Sequence, residues 1–117
     1  MMRTWVAAKL HGITVTDASV RYHGSVGIDA ALMDAAGIEP YEQVHVVNLS
    51  TGDRWVTYAL PVEQLGAFTL NGGGARLGVP GDECVVMTYR TGVEFHPATV
   101  LFLDGDNRVT DRAVYSQ

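Results

Sequence analysis

The stretch RYHGSVGID, residues 21–29, places a glycine directly before a serine, between a strand-like run and an amphipathic segment. Three roles fit that pair. The commonest is a tight turn, which most Gly-Ser dipeptides make. A second is nucleophilic catalysis. HGSVG falls one residue short of the GxSxG elbow of serine hydrolases, with His23 standing where the first glycine belongs and crowding the turn. His96 and Asp104 are present, but nothing in their positions marks them as partners of Ser25. The third role consumes the peptide bond itself. A serine hydroxyl can attack the preceding carbonyl when the backbone is strained and donors hold the oxyanion, which turns the amide into an ester. A glycine on the N-terminal side leaves that carbonyl open and tolerates unusual torsion angles. β-Elimination then cuts the chain and leaves dehydroalanine, which hydrolyses to a pyruvoyl ketone.

Other residues with chemical potential narrow the field. His11, His23, His45 and His96 are scattered and form no HExxH or similar pair, so no metal site is expected. GGGARLG, residues 72–78, has the wrong spacing for a phosphate cradle and no following GK[ST]. Its run Gly72, Gly73 and Gly74 either lets backbone N–H groups approach a ligand closely or simply makes a flexible turn. Cys84, the one cysteine, lies in the apolar stretch ECVVM and reads as a buried, inert thiol.

The elements that must position these residues are mostly strands. TWVAAKL and ITVTDASV are two strand candidates with Gly12 between them. DAALMDAAGI reads as a two-turn helix with Asp29 as N-cap, Gly37 as its stop and an apolar stripe of Ala31, Leu32, Ala35 and Ala36. EQVHVVNL and DRWVTYAL flank STGD as a hairpin. Val44 and Val46 share one face of it, Thr57 and Tyr58 point opposite ways, and Pro61 ends the second strand. CVVMTYR and ATVLFLD are near-continuous apolar strands, and VTDRAVYSQ is a weak strand or frayed tail. The fold class expected is mainly β, a small barrel with short helices.

At 117 residues, 47% of them hydrophobic, the chain makes one domain with a substantial core. Charged residues are only 18%, so self-association is expected. A net charge of −5 with no Lys/Arg cluster argues against nucleic acid and membrane surfaces as partners. No segment reads as a signal peptide or a membrane span, and the expected location is cytoplasmic.

Taken together the motifs have a familiar order: KLH at 9–11, Y.GS at 22–25, ID...MDAAGI at 28–38, TG.R..TYA at 51–59, NG at 71–72 and PGD at 80–82. In this the chain resembles the pyruvoyl-dependent aspartate 1-decarboxylases over nearly its whole length. The resemblance implies a double-psi β-barrel over residues 1–117, made as a zymogen that cuts itself between Gly24 and Ser25 into fragments 1–24 and 25–117. The covalent cofactor would be a pyruvoyl group derived from Ser25. Thr57 matches the threonine that assists processing and contacts substrate, and Tyr58 the tyrosine that returns a proton after decarboxylation. Lys9 and Arg54 match cations near the substrate carboxylates, and Asn71, Gly72, Gly73 and Gly74 match the loop lining the pocket. His11 and Tyr22 match supporting residues beside the pocket and the cut. The implied partners are L-aspartate, further copies in a homotetramer with sites between neighbours, and, where the cut needs help, a maturation factor. The implied reaction yields β-alanine and CO2 for pantothenate biosynthesis.

General chemistry agrees with these roles. A pyruvoyl ketone takes an amino acid as a Schiff base and accepts the electron pair left by CO2. A phenol can then protonate the carbon, and Arg54 and Lys9 suit an acidic substrate. The chain departs from the family pattern in its loops, with Gly73 and Gly74 where alanines are common. The alternatives are a paralogous pyruvoyl decarboxylase of another amino acid, a serine hydrolase with a degenerate elbow, and a non-catalytic β-barrel interaction module.

Overall fold

Alternating apolar and polar residues write most of this chain as strands. The computed structural model describes residues 1–21 and 24–116. In chain order the elements are β1 (Arg3–Thr14), β2 (Asp17–Ser19), β3 (Ser25–Asp29), α1 (Ala30–Ala36), β4 (Gln43–Asn48) and β5 (Arg54–Val62). There follow β6 (Phe68–Asn71), a 3-10 turn (Gly72–Arg76), β7 (Glu83–Gly92), β8 (Ala98–Leu103) and β9 (Val109–Tyr115). The strands line up as β2-β6-β3-β5-β4-β7-β1-β8-β9. Three neighbouring pairs are parallel, β2 with β6, β3 with β5 and β1 with β8. Parallel neighbours cannot be joined by a tight turn, so the chain crosses over between them. The result is the expected small, mainly β barrel around one apolar cluster. Leu10, Ile13, Val26, Ile28, Val44, Val46, Phe68, Leu70 and Val86 are fully buried in it.

The expected helix forms where its caps place it. Asp29 Oδ1 accepts from the Ala31 N–H at 2.9 Å, and Gly37 closes the helix at φ 76°. Its buried face, however, is Leu32, Met33 and Ala36, while Ala31 and Ala35 are exposed. An alanine methyl marks a helix face weakly, and the larger Leu and Met side chains decide which way α1 turns.

Two further expectations are corrected, and the last segment, open between a weak strand and a frayed tail, is decided as a strand. The two opening strand candidates do not break at Gly12: β1 runs through it, and the register against β7 slips between His11 and Ile13. Gly12, at φ 84°, supplies a bulge instead of a turn. Pro61 does not end β5, which continues to Val62. Backbone bonds on the β4 side of β5 reach Ala59, through Glu42 and Tyr41, and the ladders show β5 paired only with β3 at Pro61, where a missing N–H is tolerated. The last segment is a full strand, β9, paired antiparallel with β8 from Ala98 to Leu103. No helix among the described residues is long and apolar enough to cross a membrane.

Candidate active site

Ser25 opens β3 and pairs with Asn71 at the end of β6. Its φ is 151°, outside the range that side-chain-bearing residues ordinarily adopt, and it is only 4% exposed. Such a backbone stores about 1–3 kcal/mol. Asn71 Nδ2 donates to Ser25 Oγ at 3.0 Å. A donor aimed at this oxygen stabilises negative charge there as its proton leaves. Gly24 is exposed, and a Cβ on it would meet nothing within 4 Å, so packing does not demand the glycine; its bareness leaves the carbonyl open to approach.

The parallel β3–β5 pairing begins at Val26 and Ala59, so Ser25 and Gly24 lead into it on β3 as Tyr58 and Thr57 do on β5. The β4–β5 ladder runs from Gln43–Tyr58 to Val47–Arg54 without a bulge, so Thr57 and Tyr58 face opposite ways as expected. Tyr58 stacks on Tyr41 at 6.2 Å and 22°. The glycine run follows Asn71 directly as a 3-10 turn, with Gly72 at φ 65°. Buried Asn48 holds the exit of this turn, since its Nδ2 donates to the Leu77 carbonyl at 2.9 Å and to Asp82 Oδ2 at 3.0 Å. That bond from Asn48, with another from the Val79 N–H, holds the Asp82 carboxyl below the usual carboxylate range.

The cations stand elsewhere. In the strand sequence β5-β4-β7-β1, Lys9 aligns with Met87 and Met87 with His45, while His11, Val85, Val47 and Arg54 make the next row. Their chain neighbours Leu10, Val46 and Val86 fill the core, so these rows lie on the opposite face. Arg54 Nη2 donates to Tyr89 Oη at 3.1 Å and lies 3.4 Å from His45 Nδ1. The His45 and Tyr89 rings meet edge-on at 4.7 Å. A cleft of about 440 Å³ opens here, lined by Thr4, Glu42, Gln43, His45, Tyr89 and Thr91. His11 leans on Phe102 at 5.5 Å, and its Nδ1 is buried without a hydrogen-bond partner.

Arg54 is four residues along β5 from Tyr58, about 13 Å of strand. Its guanidinium reaches over β4 to β7, away from β3. One chain therefore carries two separated clusters: a strained serine with its asparagine and glycine turn, and a cationic face. Among the described residues, no group of three or more His, Cys, Asp or Glu is placed to hold a metal ion. Cys84 is fully buried, and its surroundings, with the Asp82 and Glu83 carboxylates adding to the effect of burial, push the thiol up to about 12.

Residues 1–110 match the family model described as aspartate decarboxylase. The chain belongs to that family. Among curated aspartate decarboxylases, the aspartate 1-decarboxylase of Acaryochloris marina is 49% identical, over 97% of this chain and 90% of its own length. Aspartate 1-decarboxylase 2 of Gloeobacter violaceus is 46% identical over 93% of this chain and 91% of its own. Aspartate 1-decarboxylase of Methylobacillus flagellatus is 38% identical over 96% and 93%.

For this aspartate decarboxylase family member, the fold joins Ser25 to Asn71 and its glycine turn, with Gly24 on the β3 side and Thr57 and Tyr58 on the β5 side leading into the β3–β5 pairing. It leaves Lys9, His11 and Arg54 on the other cluster. Tyr22 lies outside the described residues. Three neighbours were not singled out from the sequence: His45 and Tyr89, which hold Arg54, and Trp55, which lies against Gly74. The signal for His45 is its position between Val44 and Val46, which puts it on the far face of β4. No comparable signal links Tyr89 or Gly74 to its contact, because both contacts join residues remote in sequence.

Proposed function

We propose that the chain is a self-processing, pyruvoyl-dependent decarboxylase that converts L-aspartate to β-alanine and CO2, a step of pantothenate biosynthesis in the cytoplasm. The observation that carries this reading is the strained, buried Ser25 with the Asn71 amide on its Oγ. A serine turn with no further task has no need of either. Oγ attacks the Gly24 carbonyl carbon, the C–N bond breaks, and the amide nitrogen takes the hydroxyl proton, leaving an ester. Removal of the Ser25 Cα proton then expels the Gly24 carboxylate and leaves dehydroalanine. One water enters and ammonia leaves, giving the pyruvoyl group. Thr57, two residues before the first β5 residue paired with β3, is the residue assigned to help the carbonyl react.

The residues fit such a group, since Ser25 sits where Asn71 and the glycine turn would flank it. The pyruvoyl group supplies the electron sink for loss of CO2. Tyr58, next to the first β5 residue paired with β3, would hold and return the proton. Asn71 and Gly72–Gly74 would line the pocket, with Tyr22 and His11 in support. Arg54 and Lys9 would hold the substrate carboxylates. Because Arg54 stands about 13 Å along β5 from Tyr58 and its guanidinium reaches across β4 to β7, these residues would come from a neighbouring copy, in a homotetramer.

Intact mass measurement tests the cut. Two species matching 1–24 and 25–117, the larger one reacting with phenylhydrazine, are the expected result, and an uncut, unreactive chain would overturn it. Ser25→Ala is expected to stay whole and inactive. CO2 release across a panel of amino acids separates aspartate from another substrate. Cutting of the purified chain alone would make a maturation factor unnecessary.

A further inference from the structure

We infer that Trp55 is a positioning residue for the Asn71–Gly74 wall of the pocket, and that Gly74 is the glycine its indole demands. The inference rests on the decarboxylase reading above. Trp55 lies on β5 two residues before Thr57, on the same face, and packs half-buried against the main core. A Cβ on Gly74 would stand 2.9 Å from Trp55 Nε1, 3.5 Å from Cε2 and 3.6 Å from Cδ1. The first distance is closer than side chains tolerate, and the atoms it meets belong to a rigid ring. Torsion does not explain this glycine: Gly72 has a positive φ, whereas Gly74 does not. Gly73 forms the contrast, because a Cβ there would meet nothing within 4 Å. Of the two glycines that stand where alanines are common, only Gly74 is required by its surroundings.

Trp55 Nε1 is fully covered and has no hydrogen-bond partner. The indole is thus held by shape, its edge resting on the backbone of the turn. That turn begins at the residue after Asn71, and Asn71 holds Ser25 Oγ. One ring therefore ties β5, which carries Thr57 and Tyr58, to the segment that places Asn71. An added methyl at Gly74 must move either the ring or the turn by several tenths of an ångström, and the turn carries the pocket wall.

The test is a double-mutant cycle of Gly74→Ala and Trp55→Leu, with melting temperature, extent of cutting, KM and kcat for aspartate measured on each protein. Gly74→Ala is expected to raise KM about tenfold, with a smaller change in kcat, as expected for a displaced wall. Trp55→Leu alone raises KM several-fold, because the turn loses its support. The double variant recovers most of the KM lost in Gly74→Ala and melts above it. Gly73→Ala leaves the melting temperature unchanged. A double variant no better than Gly74→Ala, or an unchanged KM in Trp55→Leu, would overturn the inference, the second even if Gly74→Ala fails to fold. Wild-type protein that releases no CO2 from aspartate would instead strike the decarboxylase reading, and the cycle in melting temperature would still decide the coupling between Trp55 and Gly74.

Discussion

The amide of Asn71 does two things at the Ser25 hydroxyl. It pins the Oγ position, and it lowers the energy of charge forming there. A hydrogen bond to a charged oxygen is worth about 1.5–3 kcal/mol, so removing it should slow a reaction in which that oxygen attacks. Asn71→Ala is expected to lower the rate at which fragments 1–24 and 25–117 appear by roughly ten- to a hundredfold, the same interval expressed as a rate. Timed mass spectra of freshly made protein check this. An unchanged rate would mean that backbone strain alone drives the cut. Cys84 marks the opposite extreme of reactivity, since its raised pKa and complete burial keep it a thiol. The one other candidate nucleophile of the sulfur type is thus out of contention.

Elements are held in place by a few buried side chains that join distant loops. Asn107, 3% exposed and at φ 60°, is the clearest of them. Its Oδ1 accepts from the Thr14 N–H at 2.7 Å, and its Nδ2 donates to the carbonyls of Thr14 and Gly66 at 2.8 Å each. The β8–β9 turn, the end of β1 and the loop before β6 meet at this one amide. Asn107→Gly keeps the backbone conformation and removes only the side-chain bonds. It is expected to destabilise by roughly 3 kcal/mol, because buried backbone groups lose their partners. A fall in melting temperature of more than about 10 °C is the corresponding observation. Elements differ in how plainly the sequence announces them. Asp29 and Gly37 declare the ends of α1 because capping is local, and the hairpin of β4 and β5 is legible from its alternation and Gly52. The bulge at Gly12 is not, since a glycine between two apolar runs serves equally well as a turn. Ser25, Thr57, Tyr58 and Asn71 could be named from motif order, whereas the hold of Tyr89 on Arg54 depends on β4 lying beside β7, a matter of strand order that no local pattern records.

Across the whole molecule, the separation of the two clusters has a direct consequence for assembly. If a site takes its serine-derived group from one chain and its arginine from another, two inactive variants can repair each other. Ser25→Ala retains the cationic face, and Arg54→Ala retains a competent Gly24-Ser25 bond. Co-expressed in equal amounts, they should regain decarboxylation at roughly a quarter of the sites, the fraction that random pairing across an interface provides. Complete inactivity of the mixed oligomers would mean that each chain builds its own site. The position of β3 adds one more consequence. It is an inner strand, bonded to β5 on one side and β6 on the other. Chain ends normally lie at the surface and fray. A cut ahead of Ser25 would create an end whose first residue is paired with Asn71 and whose second is clamped from both sides in the interior of a sheet. The reactive carbon would then be mounted as firmly as a core side chain, and the newly freed tip would gain almost no freedom from being severed.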